Sequence, residues 1–157
     1  MGAKLTFIHS GDLHLGAPFR GLRALSPAWA QRLARAIPEA YDRVIQACLD
    51  NHVDFLLLAG DMFDTDKPSY AHMRHFMRGL ERLHDAGIPV YMIPGNHDRI
   101  PTGTTSSAAA KQRAHGRSDA PEFFLHRDAD GAPLCLIAAR GFSNQASDGS
   151  IADGMTR

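Results

Sequence analysis

The sequence predicts an α/β domain whose parallel sheet is laid down in β-α-β-α-β order. Three observations carry this: three apolar runs of strand length, two amphipathic helical patterns between them, and a glycine-containing polar loop closing each run. Strands separated by helices pair in parallel through crossovers, so the three loops are expected to share one edge of the sheet.

The first run, Leu5-Thr6-Phe7-Ile8-His9, reads as a short buried strand and ends in Ser10-Gly11-Asp12-Leu13-His14-Leu15-Gly16. Residues 27–36 are expected to form one helical segment, and Pro38 suits the first turn of a second. Tyr41, Val44, Ile45, Cys48 and Leu49 then recur at 3.6-residue spacing to about Asn51. Phe55-Leu56-Leu57-Leu58-Ala59 is continuously apolar, as a central strand covered on both faces must be, and stops at Gly60-Asp61. Ser69 is a suitable cap for the next helix, whose buried stripe is Tyr70, Met73, Met77, Leu80 and Leu83. Gly87 ends that helix, and Pro89-Val90-Tyr91-Met92-Ile93 is the third strand, closed by Pro94-Gly95.

Beyond Arg99 the texture changes. Residues 101–118 are rich in Thr, Ser, Ala and Gly and read as a mobile loop. Leu134 to Ala139 is one more strand after an Asp130-Gly131 turn. Residues 1–142 are expected to form the N-terminal part of one domain. Residues 143–157 are expected to be a polar, disordered tail, so the sheet reads as incomplete at its C-terminus.

Composition excludes several classes. The 157 residues carry 17 basic and 17 acidic side chains and nine histidines, so no global basic field points to nucleic acid. With two cysteines, Cys48 and Cys135, there is no dense disulfide framework, and both are expected to be buried thiols. No apolar run reaches membrane-spanning length and no signal-type segment opens the chain, so a cytoplasmic protein without membrane contact is expected.

The chemistry lies in the loops. Asp12 and His14, Asp61 and Asp64, and Asn96, His97 and Asp98 follow three strands whose carboxyl ends are where open α/β sheets bind ligands. In an extended segment Asp12 and His14 would point to the same side. Carboxylate and imidazole together suit Mn, Fe or Zn better than an all-oxygen Mg or Ca site. Asp61 follows a glycine, so the chain can turn sharply there, and its two oxygens can bridge two cations about 3.5–4 Å apart. Asn96 adds a neutral carbonyl ligand, and His97 beside it is free to act on substrate.

Asp12-Leu13-His14, Gly60-Asp61-Met62-Phe63-Asp64 and Gly95-Asn96-His97-Asp98 together resemble the ordered signature of the calcineurin-like metallophosphoesterase superfamily. The flanks, Phe7-Ile8-His9, Leu15-Gly16-Ala17-Pro18-Phe19 and Leu58-Ala59 before Gly60, look like the SbcD-type DNA repair exonucleases. The likeness covers about residues 4–100. It implies the metallophosphoesterase-type layered sheet, two divalent ions with Mn foremost, DNA as substrate and an SMC-like ATPase as partner. Asp12 and His14 would bind the first metal, Asp61 would bridge, and Asn96 would bind the second. His97 would be the general acid, with Asp64 orienting it, and Asp98 would support the loop or a ligand histidine.

The further His and Gly-His-x-His that complete the family's site do not follow residue 98; only His115 and His126 do, in surface or structural roles. A second metal is therefore expected to bind weakly, and hydrolysis by these residues to be poor. Two other readings stand beside the nuclease: a superfamily member acting on nucleotides, cyclic nucleotides or phosphoproteins, and a non-catalytic docking fragment for an ATPase. Among other residues, His52, His72, His75 and His84, and the stripe Arg74, Arg78 and Arg82, are expected on solvated faces. Arg20, Arg23 and Arg99 are phosphate candidates by position, and Trp29 with Leu25 and Leu33 is expected to be core or a domain contact.

Overall fold

The computed structural model describes residues 4–19, 26–95, 97, 113–115 (main chain only) and 121–141. The elements are β1 (Phe7–Ser10), α1 (Pro27–Asp50), β2 (Phe55–Ala59), α2 (Tyr70–Asp85), β3 (Val90–Ile93), β4 (Arg113–His115), β5 (Glu122–Arg127) and β6 (Pro133–Ala139). Strands β1 to β4 form one sheet in that spatial order, every pair parallel. Strands β5 and β6 pair antiparallel as a separate hairpin.

Alternation along the parallel strands sorts residues onto two faces. In register, Leu56 lies beside Val90 and Leu58 beside Met92. These four enter the main core with Tyr41, Ile45 and Cys48 of α1 and Phe76, Leu80 and Leu83 of α2. The other face carries Phe55 and Tyr91, whose rings meet His126 of β5 at 4.9 and 6.0 Å between centroids. The Tyr91 hydroxyl bonds to His126 Nδ1 at 3.1 Å, which satisfies this nearly buried imidazole. His126 is thus structural, and β2 is covered on both faces, by helices on one and by the hairpin on the other.

Helix α1 corrects the expectation of two segments. It runs unbroken through Pro38, although proline leaves the Ala34 carbonyl without its usual donor. Ala30, Ile37, Tyr41, Ile45 and Cys48 keep one helical stripe across that point, and burial along it outweighs one missing hydrogen bond. The N-terminus follows ordinary capping logic: Ser26 accepts from the Trp29 amide and Pro27 opens the first turn. Trp29 itself is 60% exposed, one position off the buried stripe at Ala30, with the Arg32 guanidinium 5.9 Å from its ring centroid. It is therefore not core.

The buried Tyr41 hydroxyl donates to the Phe76 carbonyl at 2.7 Å, and Gly79 leaves room for that ring, since a Cβ there would overlap the hydroxyl. Two strands went unread in the sequence. Strand β4 lies inside the stretch taken for a mobile loop, and β5 includes Phe123-Phe124-Leu125, whose period-2 alternation was hidden by its short length. Cys48 is buried, whereas Cys135 is only partly so. Among the described residues no helix is long and apolar enough to cross a membrane. The tail at 143–157 and the segments 98–112 and 116–120 lie outside the described residues, as do Arg20, Arg23 and Leu25.

Candidate metal centre

The site begins where β1 and β2 stop being regular strands but do not separate. Past Ser10 and Ala59 the two chains remain zipped: Asp12 N–H donates to the Gly60 carbonyl at 3.1 Å, His14 to Asp61 at 2.9 Å and Leu15 to Met62 at 2.9 Å. Asp64 N–H returns a bond to the Leu15 carbonyl at 3.3 Å, and Leu15 and Phe63 form a parallel bridge. Gly11 permits this approach, because a Cβ there would collide with the Ala59 carbonyl.

Within this zipper the backbone is left-handed at Asp12 (φ 51°), His14 (φ 46°) and Asp61 (φ 51°). Such positions disfavour most L residues, with aspartate and histidine among the better tolerated, and each costs about 1–3 kcal/mol. The segment is therefore not extended, contrary to the sequence reading. The two ligands share a side because alternate residues are turned over, not because a strand presents them. The ladder bonds and the fully buried side chains of Leu15 and Met62 offset the strain.

The result is a cluster of oxygen and nitrogen atoms. One ligand atom from each of Asp12, His14 and Asp61 lies within 4.8 Å of the others, and His14 Nε2 is 3.9 Å from Asp12 Oδ1. Two carboxylates and an imidazole so placed, at the carboxyl edge of a parallel sheet, form a donor set that fits a divalent cation of the Mn, Fe or Zn type. Asp12 is open to solvent, while His14 and Asp61 are half-buried, so the cluster has a mouth.

The third loop closes over Asp61. Its carboxylate Oδ1 accepts the His97 backbone N–H at 2.9 Å. Gly95 packs so tightly here that a Cβ would overlap both that oxygen and the Asp61 nitrogen. The His97 ring stands edge-on to His14, with centroids 5.3 Å apart, and its Nδ1 meets the main-chain carbonyl of Asp64 at 3.3 Å. The Asp64 carboxylate is elsewhere, with Oδ1 3.4 Å from His14 Nδ1. Asp64 thus touches the expected histidine through its backbone and a different one through its side chain. Asn96 and Asp98 lie outside the described residues, as does Arg99, and of His115 only the main chain is described.

Of the seven residues that sequence reasoning gathers at one rim, the structure brings Asp12, His14, Asp61, Asp64 and His97 together, and Asn96 and Asp98 are the two not described. Gly95 and Gly11 were read as turn glycines only; that their missing side chains make the close approach to Asp61 and Ala59 possible was not read. His72 is not simply solvated, since a Cβ on Gly16 (φ 93°) would lie 2.6 Å from its Nδ1. His75 Nε2 faces Asp42 Oδ1 at 3.1 Å between the helices. Arg74, Arg78 and Arg82 are exposed, and Arg82 donates to Gln46 at 2.6 Å.

The chain is similar in sequence to one known family of proteins. The profile of the calcineurin-like phosphoesterases matches residues 5–143. An uncharacterized metallophosphoesterase, YhaO of Bacillus subtilis, is 42% identical over 100 residues, which is 64% of this chain and 24% of that protein. The DNA double-strand break repair protein Mre11 of Haloferax volcanii is 36% identical over 91 residues, 58% of this chain and 19% of its own. Mre11 of Thermoplasma acidophilum is 32% identical over 92 residues, 59% and 22%. The chain therefore spans about a quarter or less of the length of these relatives.

Proposed function

This chain belongs to the calcineurin-like phosphoesterase family, and from that premise we propose that it cleaves phosphodiester bonds of DNA at a divalent-metal centre, with manganese as the working ion. The observation that carries the reading is the cluster itself: ligand atoms of Asp12, His14 and Asp61 gathered within 4.8 Å beside the His97 ring. DNA as substrate draws on the Mre11 relatives, which are DNA double-strand break repair proteins by name. An SMC-like ATPase partner and a cytoplasmic location belong to the same proposal.

In this reading Asp12, His14 and Asp61 would hold a first cation, and Asp61 with Asn96 would supply ligands for a second, weaker one. Cations held there would supply Lewis acidity, neutralising charge on the phosphoryl oxygens and lowering the pKa of water. The chain's own residues aim and protonate. A carbonyl can only accept, so the His97 nitrogen facing the Asp64 carbonyl carries a proton, which leaves Nε2 for the substrate. In its protonated form that nitrogen donates to the departing oxygen. The His97 backbone amide meanwhile holds the Asp61 carboxylate on the cation side of the rim.

The test compares manganese-dependent degradation of linear duplex DNA with hydrolysis of a small aryl phosphodiester, using the chain, Asp61→Asn and His97→Ala. Slow, metal-dependent release of nucleotides that both substitutions abolish is the expected result. Intact DNA alongside turnover of nucleotides or a phosphopeptide would move the protein to another branch of the family. ATPase-partner binding that survives Asp61→Asn without any hydrolysis would favour a docking role. Calorimetry should find one tight manganese site and one weak one, and two tight sites would contradict the proposed ligand division.

A further inference from the structure

Asp64 meets the two histidines of the rim through different atoms, and only one of them belongs to its side chain. Its carboxylate Oδ1 lies 3.4 Å from His14 Nδ1, whereas its main-chain carbonyl lies 3.3 Å from His97 Nδ1. His14 Nδ1 is shut off from water and has no hydrogen-bond partner of good geometry. A buried N–H in that state is costly unless a neighbouring acceptor receives its hydrogen bond. The carboxylate of Asp64 is poised to do so, slightly beyond the span of a well-formed N–H···O bond. The other ring nitrogen, Nε2, faces the Asp12 carboxylate at 3.9 Å.

We infer that Asp64 is a positioning residue for His14, its carboxylate keeping the proton on Nδ1 so that the Nε2 lone pair is directed at the cation held with Asp12 and Asp61. This rests on the metal-centre reading above. An imidazole binds a cation through an unprotonated nitrogen, and what the other nitrogen meets selects which one that is. An ionised carboxylate accepts and never donates, so it permits one tautomer only. Its position is fixed by the zipper, since the Asp64 amide is bonded to the Leu15 carbonyl. Because the contact to His97 runs through the backbone, replacing the side chain separates the two histidines experimentally.

The experiment records imidazole 15N–1H spectra of the metal-free chain, Asp64→Ala and Asp64→Asn, with ring signals assigned through His14→Gln and His97→Gln. Manganese affinity is measured on the same samples by calorimetry. His14 should be the Nδ1–H tautomer in the starting protein and a mixture in Asp64→Ala, with the His97 signals unmoved. Manganese affinity should fall by about 10–100-fold in Asp64→Ala. Asp64→Asn, whose amide oxygen still accepts, should keep the tautomer and lose about tenfold or less. An unchanged His14 tautomer in Asp64→Ala, or displacement of the His97 signals instead, overturns the assignment; so does undiminished affinity. Failure of the starting chain to bind manganese would remove the metal-centre reading alone, while the metal-free spectra would still decide whether Asp64 governs His14.

Discussion

The backbone amide of His97 donates a 2.9 Å hydrogen bond to Oδ1 of Asp61, a residue 36 positions earlier in the chain. Gly95 presses against the same carboxylate. The bond and the glycine together aim Asp61 by main-chain atoms alone, so the pose does not depend on a ligand to create it.

Gly95→Ala should therefore damage the site from behind. The added methyl would overlap Asp61, and the forced backbone shift should cost about 1–3 kcal/mol of stability. Manganese affinity should drop at least about tenfold by the same displacement. Thermal melts and calorimetry on the variant check this, and an unaltered affinity would show that the third loop has slack.

Asp61→Asn keeps an oxygen for the His97 amide and removes a negative charge from a crowded cluster. Metal-free stability should be unchanged or slightly higher, because like-charge repulsion with Asp12 is relieved. Affinity for a divalent ion should fall by about 100-fold or more, since attraction at contact distance is several kcal/mol even in a screened medium. A melting experiment reads both effects. Manganese at 100 times its dissociation constant should stabilise the starting protein by about 2.7 kcal/mol and the variant hardly at all.

Tyr41→Phe tests the core without touching the rim. The hydroxyl lost is buried and bonded to the Phe76 carbonyl at 2.7 Å. Its removal should cost about 1 kcal/mol in urea unfolding, with manganese binding unchanged. A shift in metal affinity would mean that α2 and the site are coupled.

Burial pushes the Cys48 thiol up to about 11. The folded chain thus holds that proton more tightly than the unfolded one, so stability should be intact below about pH 9 and decline as pH rises from there toward 11. In native protein at pH 8, Cys135, which is partly exposed, should react with a thiol reagent well before Cys48. Burial raises Cys135 too, so its labelling should quicken with pH. Equal rates for the two thiols would contradict the packing of α1.

Much of the strands and helices bearing the site was readable because period matched burial: Leu56 and Leu58, or Ile45 and Cys48, repeat at the spacing their element requires. The stripe of α2 was misplaced at its start, where Tyr70 and Met73 are exposed and Phe76 is buried instead. Convergence of the three loops followed from parallel topology. What resisted reading was local. Left-handed φ at Asp12 and His14 depends on a partner loop roughly fifty residues away, and no window of sequence contains both. The split role of Asp64, backbone to one histidine and side chain to another, is likewise a matter of torsions. Continuity of α1 across Pro38 was misjudged because a local penalty was weighed without the long buried stripe that overrides it.

The ladder that joins Asp12 to Gly60 and His14 to Asp61 makes the rim an extension of the sheet, so it has no separate melting mode of its own. Amide protons of Asp12, His14 and Leu15 should exchange with deuterated water as slowly as those of β2, through whole-sheet opening alone. A rim built this way has its donor atoms set by the same hydrogen bonds that hold the strands together, before any ligand arrives.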